Sequence, residues 1–352
     1  MQVDNLTKPA LWVNIGVFFA VLVVKLIWQR TKHLRVFNNR QRTVGDPTVS
    51  NMRIKGFEKY RIRMGLKKMD QENWLTIDKD DMALQAIRNG LFETEKEKKV
   101  QCLPEARNAC QEALEEVCGF LCRRHPTMFE ISSSGTESRI KNKVTGEEYC
   151  LEEWNSSITP LEIAARLGMD DLTIILKNEE GGHYMAATAS CFQIGWSANE
   201  RVGDTIAQMH GPVPQWEKEI GYAVNKFMTR LTLESPMERA SYFIQVSYPE
   251  QSLSQILFQP EGIVHKDVEP RPEHIIVRKE RQTFRRLSKS GGILFGVKTS
   301  LTYLPDLPLD ELQNMVKEIN SWPEDMARYK GRDHWGHIVL GHCKRREEGH
   351  KS

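Results

Sequence analysis

The run of residues 183–216 constrains the fold of this chain more than any other stretch. Residues 183–196 are mostly apolar and small, a pattern typical of a buried strand. Ser197 is followed three residues later by Glu200, and this capping-box signature predicts that a helix begins there. We expect that helix to end near Met209, so the stretch predicts a strand followed directly by a helix.

A single histidine stands where this helix is expected to end, in the sequence His-Gly-Pro-Val-Pro. Gly211 allows the backbone after His210 to turn, whereas Pro212 and Pro214 fix φ on either side of Val213. The imidazole is therefore expected on a stiff loop between two helices. Such a position suits an axial metal or haem ligand, because the ligand geometry must be held. A capping or core histidine is the common alternative for a lone His.

Two long blocks of the sequence carry a family resemblance. The first covers residues 184–196 and 199–203 and ends in the His-Gly-Pro-Val-Pro run. The second covers residues 277–287 and has the form Arg-x-Glu-Arg-Gln-Thr-x-x-Arg-Leu, with Phe284 where Leu is usual. These blocks resemble the DUF3445 family, which includes the haem-dependent oxidative N-demethylase alpha subunit and fungal proteins labelled HRQ family. Shorter matches occur in family order from about residue 60 to residue 304.

The resemblance implies an α+β fold with a PAS-like antiparallel-sheet core and flanking helices, in a domain of residues 57–343. It also implies that haem b is the cofactor. His210 would be the proximal ligand of the haem iron, and the opposite face of the haem would be open to O2 and substrate.

The implied reaction is a monooxygenase-type oxidation of a secondary or tertiary amine, in which an alkyl group is lost as an aldehyde. The electrons would come from NADPH through a separate reductase that carries FMN and a 2Fe-2S cluster. The sequence agrees with this division of labour, because it contains no GxGxxG and no Walker A motif of its own. It also lacks the GxSxG and HExxH motifs of common hydrolases.

One departure from the family concerns the substrate pocket. Bacterial members tend to carry Arg-x-Asn-Trp where this chain has Arg239-Ala240-Ser241-Tyr242. The pocket is therefore expected to differ from theirs. Two other function classes stay open: a haem- or ligand-binding sensor without turnover, since PAS-like folds often sense, and a membrane-tethered interaction protein that has lost haem.

A dense arginine cluster surrounds the acidic residue Glu280. If this segment is a helix, Arg278, Arg281 and Arg285 lie on one face at three- and four-residue spacing. Arg278 and Arg281 would then bind the haem propionates, because guanidinium forks suit carboxylates. A solvated basic face is the commoner outcome for a charge run. Glu280 is the candidate catalytic carboxylate, expected to bind a substrate ammonium group or to relay protons.

Other potential iron or metal ligands compete with His210. His183 is the second histidine candidate, and Cys191 is a possible thiolate ligand, although a buried structural cysteine is the commoner case. The spacing of His334, His337 and His342, at three and five residues, also fits a metal cluster. Their apolar and aromatic neighbours favour a packed terminal segment instead.

The N-terminal part of the chain contains a membrane-like segment at residues 10–29. Its length is close to the ~20 residues that a bilayer needs. It follows a short flank, residues 1–9, and precedes a basic polar linker, residues 30–56. Because no small-residue cleavage site follows, an uncleaved single-pass anchor is favoured over a signal peptide. The positive-inside rule then predicts a cytosolic main domain, with the endoplasmic reticulum as the expected membrane.

The net charge and the cysteine content limit what the chain is expected to bind and where it is expected to work. A formal net charge of +2 over 352 residues gives no indication of nucleic-acid binding. The seven cysteines contain no CxxC pair, so reduced core thiols in a reducing compartment are expected, notably Cys110, Cys118 and Cys122.

The remaining periodic segments predict the other elements of an α+β domain. Helices are expected over residues 80–92, 104–124, 160–168, 216–231, 309–319 and 323–330, and strands over 241–247, 274–278 and 293–299. A hairpin turn is expected at residues 141–146. The charged tail, residues 344–352, is expected to be frayed.

Overall fold

The computed structural model describes residues 53–56, 58–77, 81–135, 137–152, 158–248, 251–258 and 269–349. The predicted anchor at residues 10–29, its flank and most of the linker lie outside these described residues. Within the described ranges, none of the helices combines the length and the apolar character that a bilayer span requires.

A seven-stranded antiparallel sheet forms the centre of the described chain. The described residues form ten strands, seven in this sheet and three in a smaller one. They are β1 (Lys67–Lys68), β2 (Val100–Cys102), β3 (Phe129–Ser134), β4 (Glu137–Asn142), β5 (Glu148–Cys150), β6 (Asp171–Lys177), β7 (His183–Ala189), β8 (Met237–Val246), β9 (Ile275–Arg286) and β10 (Ile293–Tyr303). The large sheet has the order β1-β8-β9-β10-β6-β7-β2, and β3-β4-β5 form a separate small sheet. The prediction of an α+β fold with antiparallel sheets is therefore confirmed.

Helices flank the large sheet. They are α1 (Asp81–Thr94), α2 (Lys96–Lys99), α3 (Arg107–Arg124), α4 (Pro160–Gly168), α5 (Ala198–Arg201), α6 (Ile206–His210), α7 (Tyr222–Arg230), α8 (Leu253–Phe258), α9 (Leu309–Ser321), α10 (Glu324–Tyr329) and α11 (Arg332–Gly349). A π-helical turn, Glu217–Gly221, leads into α7. Three apolar clusters connect these helices to the sheet: one under α3 and α4, one under α9 and α11, and one beneath α6 and α7.

Several local predictions from the sequence are confirmed. At the start of α4, the Thr159 hydroxyl accepts a hydrogen bond from the Glu162 amide, as a capping threonine should. The turn between β4 and β5 lies at the predicted hairpin, with Gly146 at a φ of 80°. Cys110 and Cys118 are free thiols buried on the inner face of α3.

The predicted strand over residues 183–196 is too long, because β7 ends at Ala189. The carboxylate of Asp171 accepts hydrogen bonds from the Ser190 hydroxyl at 3.0 Å and from the Phe192 amide at 2.8 Å. These bonds hold the chain in a turn immediately after β7. Cys191 consequently lies in this turn and not in a strand.

The single helix expected between Ser197 and Met209 is in fact two short helices. The capping box of Ser197 and Glu200 is present and opens α5, but the chain leaves the helix at Val202. Gly203 follows with a φ of 100°, in the left-handed region that favours glycine. A second capping box, formed by Thr205 and Gln208, then opens α6.

The helical interpretation of the arginine cluster is wrong. Residues 275–286 form β9, which pairs with β8 on one side and with β10 on the other. Because successive side chains of a strand point to opposite faces, Arg278 and Arg281 are directed away from each other. The expectation of one shared arginine face therefore does not hold.

The expectation of a frayed tail is wrong for the part of it that the structure describes. Residues 344–349 continue α11 to Gly349. The guanidinium of Arg346 donates to the backbone oxygens of Pro305 and Leu307, which ties this end of the helix to the loop before α9.

Candidate functional site

A cavity of about 1880 Å³ is lined by strands of the large sheet, by the segment that contains α6 and α7, by residues 53–55, 60–65 and 67, and by parts of α9, α10 and α11. Pockets for drug-sized ligands typically measure roughly 300–1,000 Å³, so this cavity has room for a large group. Its sheet wall includes Arg239, Ser241, Glu280, Gln282, Phe284 and Phe295, and its helical wall includes Ile206, Met209, His210, Val213, Trp216 and Ile220.

The strand register explains why these sheet residues share one wall. Glu280 lies opposite Ser241, and Gln282 lies opposite Arg239. On the other side of β9, Phe284 lies opposite Phe295. Directly opposite residues project from the same face of a sheet. The carboxylate, the amide and the guanidinium therefore project toward the helical wall that carries His210.

His210 is the last residue of α6, and its ring is fixed by two contacts. Its Nδ1 lies 2.8 Å from the Ile206 carbonyl oxygen, so we assign the Nδ1–H tautomer, in which that nitrogen donates. The ring also stacks on Trp216, with the centroids 5.1 Å apart. This arrangement leaves Nε2 as the ring nitrogen that can bind a ligand, and among the described residues nothing hydrogen-bonds to it.

The charge state of His210 also suits a ligand. Burial lowers the pKa of His210, and the nearby Arg239 lowers it further, although the bond to Ile206 acts in the opposite direction. A lowered pKa favours the neutral imidazole, which is the form that binds a metal ion.

The loop after His210 is tight, but its special backbone positions are not the expected ones. Gly211 has an ordinary helical φ of −51°, whereas Gln215 takes a positive φ of 64°. Gly221 matters for another reason. A Cβ at this position would lie 2.8 Å from the ring of Trp216. The missing side chain at Gly221 thus leaves space for the ring that supports His210.

Glu280 lines the cavity in a fixed orientation. One carboxylate oxygen accepts from Arg278 Nε at 2.9 Å, and the other accepts from Gln282 Nε2 at 3.1 Å. The other donors of Arg278 bind the backbone oxygens of Leu257 and Phe192 and the Thr299 hydroxyl. Arg278 is buried behind Glu280 and does not line the cavity. It holds the carboxylate in position.

Arg281 lies on the opposite face of β9. Its guanidinium donates to Glu238 at 2.7 Å and to the backbone oxygens of Trp74 and Asn73. The structure therefore brings His210 and Glu280 together in one cavity but leaves both Arg278 and Arg281 outside it. Their proposed binding of haem propionates stays a prediction, and no contact of the described residues supports it.

Arg239 is the cavity residue that sequence reasoning missed. Its Nε is fully buried and has no hydrogen-bond partner among the described residues. Burial lowers the pKa of Arg239, and the nearby Glu280 raises it. In the sequence, Arg239 drew notice only because Ser241 and Tyr242 follow it where the family tends to carry Asn and Trp. That difference does not indicate that the guanidinium lacks a partner.

A second cation lies at the end of the cavity beside α9 and α10. The ammonium group of Lys330 is 4.6 Å from the ring centroid of Trp322 and 5.6 Å from that of Tyr242. Burial lowers the pKa of Lys330, Glu318 raises it, and Arg239 lowers it. Burial also raises the pKa of Glu318, which the nearby Lys330 charge lowers. This cluster was not foreseen from the sequence.

The rival ligands lie elsewhere. His183 is buried, with Nδ1 2.6 Å from Asn225 Oδ1, and Cys191 is buried with its Sγ 3.7 Å from the Arg88 carbonyl oxygen. Burial raises the pKa of Cys191, which disfavours the thiolate. Neither side chain lines the cavity. Of the three histidines on α11, His334 lines it.

The position of Lys330 predicts a stability change with a defined pH dependence. Its folded pKa lies below the ordinary value of 10.5, so the unfolded chain keeps this proton to higher pH. Lys330 therefore costs stability below its folded pKa, and this cost is lost as pH rises toward 10.5. We expect Lys330→Met to raise the free energy of unfolding at pH 7, by on the order of 1 kcal/mol, and the gain to shrink at alkaline pH.

Urea denaturation at a series of pH values measures this difference. Lys226→Met is the matched control, since Lys226 also lies over a ring, that of Tyr222, but is exposed on α7. We expect no pH-dependent gain in the control. A Lys330→Met protein that is less stable than the wild type at every pH would contradict the prediction.

Comparison with known families adds one finding. A family model described as "Haem-dependent oxidative N-demethylase, alpha subunit-like" matches residues 65–340. The match covers well over half of the chain, and it contains both walls of the cavity.

Proposed function

This chain belongs to the haem-dependent oxidative N-demethylase alpha subunit-like family, a family of oxidoreductases, and we propose that its cavity holds haem b and oxidises an amine. The observation that carries the proposal is His210. Its Nδ1 is anchored, its lowered pKa favours the neutral ring, and the residue lines a cavity large enough for a macrocycle. His210 is thus the residue that would hold the iron.

The walls of the cavity fit a large, flat, mainly apolar group. Below α6 and α7, Trp216 and Ile220 pack toward Phe284, and Phe284 packs against Phe295 with ring centroids 4.8 Å apart. Apolar walls of this kind exclude water and would bury the macrocycle. An antiparallel sheet that faces helices across a ligand cavity is also the arrangement expected of a PAS-like core.

When bound, haem would supply O2 activation, with electrons from a separate NADPH-dependent reductase that carries FMN and a 2Fe-2S cluster. The net reaction joins a substituted amine, O2, two electrons and two protons. It yields the dealkylated amine, an aldehyde and water. The substrate is a small molecule, and no part of the proposal involves nucleic acid.

Glu280 has the position needed to bind the substrate amine. Its carboxylate is held by Arg278 and Gln282, so it keeps one orientation in the cavity wall. A protonated amine that donates to this carboxylate would be fixed with its alkyl groups toward the apolar part of the cavity. Glu280 is also the group in this wall that could accept a proton from the amine before it is oxidised.

The ligand role of His210 predicts a large change in haem binding. We expect His210→Ala to leave a folded protein that retains little haem, with added imidazole partly restoring the absorption spectrum. His183→Ala is the matched control, because His183 is buried away from the cavity, and it should keep a wild-type Soret band. A wild-type spectrum in the His210 variant would rule out this ligand.

The role of Glu280 predicts a loss of turnover without a loss of cofactor. We expect Glu280→Gln to bind haem normally and to lower kcat/KM about 10- to 100-fold, because a charge-assisted hydrogen bond of ~1.5–3 kcal/mol is lost. Aldehyde release measures the rate, and Glu115→Gln, an exposed carboxylate on α3, is the control. Unchanged turnover in Glu280→Gln would remove this residue from the site.

A Soret band with no reductase-dependent turnover in the wild type would favour a sensor.

We also propose that residues 10–29 anchor the protein in the endoplasmic reticulum membrane, with the main domain in the cytosol. The apolar sequence and the basic residues after it support this topology. Protease added to sealed microsomes should then digest the main domain. Protection of that domain from the protease would refute the proposed orientation.

A further inference from the structure

Two cysteine sulfurs meet where the end of β2 approaches the first turn of α3. Sγ of Cys102 lies 3.7 Å from Sγ of Cys110, and both thiols are free. We propose that these two residues are a redox modification site, at which exchange with a small disulfide such as glutathione disulfide forms a reversible bond within the chain. That bond fastens the edge strand β2 to α3. The inference does not rest on the proposed haem chemistry, because neither residue lines the cavity.

The contact distinguishes this pair from the other cysteines. All seven cysteines are among the described residues, and Cys102 and Cys110 are the two whose sulfurs lie within hydrogen-bonding distance of each other. A disulfide requires a separation of about 2 Å between its sulfurs. The two residues are eight positions apart and are joined by the turn at Pro104–Ala106, so the bond closes a short loop. No element distant in sequence has to move for it to form.

The surroundings give the two sulfurs different roles. Cys102 is half-buried, whereas Cys110 is fully buried. Sγ of Cys102 can donate to the Leu103 carbonyl oxygen at 3.3 Å, which leaves its sulfur to accept from the Cys110 thiol. The hydrogen bond between the thiols lowers the pKa of Cys102, against the effect of burial, and it raises the pKa of Cys110, as burial also does. Cys102 is therefore the attacking thiolate, and Cys110 is the thiol that resolves the intermediate.

The exchange needs no other reactant. The Cys102 thiolate attacks one sulfur of glutathione disulfide, so that a mixed disulfide forms and one glutathione leaves. Cys110 then loses its proton to solvent and attacks the Cys102 sulfur, and the second glutathione leaves. Two protein thiols are oxidised to one disulfide, and one glutathione disulfide is reduced to two thiols. Excess glutathione reverses both steps, which suits a transient bond in a reducing compartment.

The bond acts on one border of the large sheet. β2 is the last strand of that sheet and pairs only with β7. The backbone on either side of β2 binds the same region, because the Lys99 carbonyl accepts from the Ser190 amide and the Leu103 amide donates to the Ala186 carbonyl, both at 2.9 Å. A bond from Cys102 to α3 removes open conformations in which this border detaches, so oxidation should stabilise it.

Mass spectrometry of the full-length protein in glutathione redox buffers tests the proposal. Once free thiols have been blocked with iodoacetamide, trypsin cleaves after Lys99, Arg107 and Arg123, so the two sulfurs fall on separate peptides. As the share of glutathione disulfide rises, we expect these peptides to become joined through Cys102 and Cys110, and excess glutathione should separate them. Packed thiols without a redox role are the common alternative. Alkylation of both residues at every buffer ratio would establish that alternative and overturn the proposal.

Two variants separate the roles of the sulfurs. In Cys110→Ser, we expect Cys102 to stop at the mixed disulfide, so that the chain gains the mass of one glutathione. In Cys102→Ser, the buried Cys110 should form no adduct, because the attacking thiolate is missing. A bond from Cys102 to a different cysteine, or a wild-type protein that stops at the mixed disulfide, would overturn the assignment. The wild-type measurement does not depend on the folding of either variant.

Cys150→Ser is the matched control. Cys150 is also half-buried, but its sulfur contacts the Glu152 carboxylate rather than another thiol. This variant should form the bond between Cys102 and Cys110 as the wild type does. Loss of that bond in the control would contradict the pairing.

Hydrogen exchange measures the effect on the border of the sheet. We expect the amides of residues 100–103 to exchange about tenfold more slowly in the oxidised wild type than in the reduced protein, because the bond removes open conformations. Oxidised Cys150→Ser should show the same slowing, and Cys110→Ser in the same buffer should show none. A disulfide that forms without any change in exchange would overturn the fastening of β2.

Discussion

Strand β9 carries charged side chains on both of its faces, and the central sheet depends on their pairing. The pairs are Arg278–Glu280 on the cavity face, and Lys279–Glu311 and Arg281–Glu238 on the other. The cost of removing both charges from water offsets much of the attraction in a buried ion pair, so these pairs add less stability than their number suggests. Removing one partner, however, leaves a buried charge. The pairs thus restrict which elements can pack on each face of β9.

The same pairing connects the fold to the chemistry. Arg278 is part of the core, bound to the backbone at Phe192 and Leu257, and it also sets the orientation of Glu280 in the cavity. Diagonally across the strand pair from Glu280, Arg239 faces the cavity with its Nε unpartnered among the described residues.

In the helical wall of the cavity, the position of the His210 ring depends on available space rather than on charge. Gly221 leaves room for Trp216, and Trp216 stacks on His210 at a centroid distance of 5.1 Å. The Ile206 carbonyl then fixes Nδ1 of the ring and leaves Nε2 without a hydrogen bond among the described residues. The orientation of one imidazole therefore depends on a glycine eleven positions further along the chain.

Sequence alone determined the family resemblance, the α+β class and the local start signals of α4 and α5, because caps and periodicity act over a few residues. It also singled out His210 and Glu280, which the structure places in one cavity. It predicted the first residues of β9 as a strand but not the charged remainder, because arginines at three- and four-residue spacing fit a helix. Only partners distant in sequence, such as Glu238 and the backbone at Trp74, make a charged central strand possible. Tertiary structure likewise decided that the Nε of Arg239 has no hydrogen-bond partner among the described residues. Whether a side chain finds a partner depends on the elements packed around it, which its neighbours in sequence do not reveal.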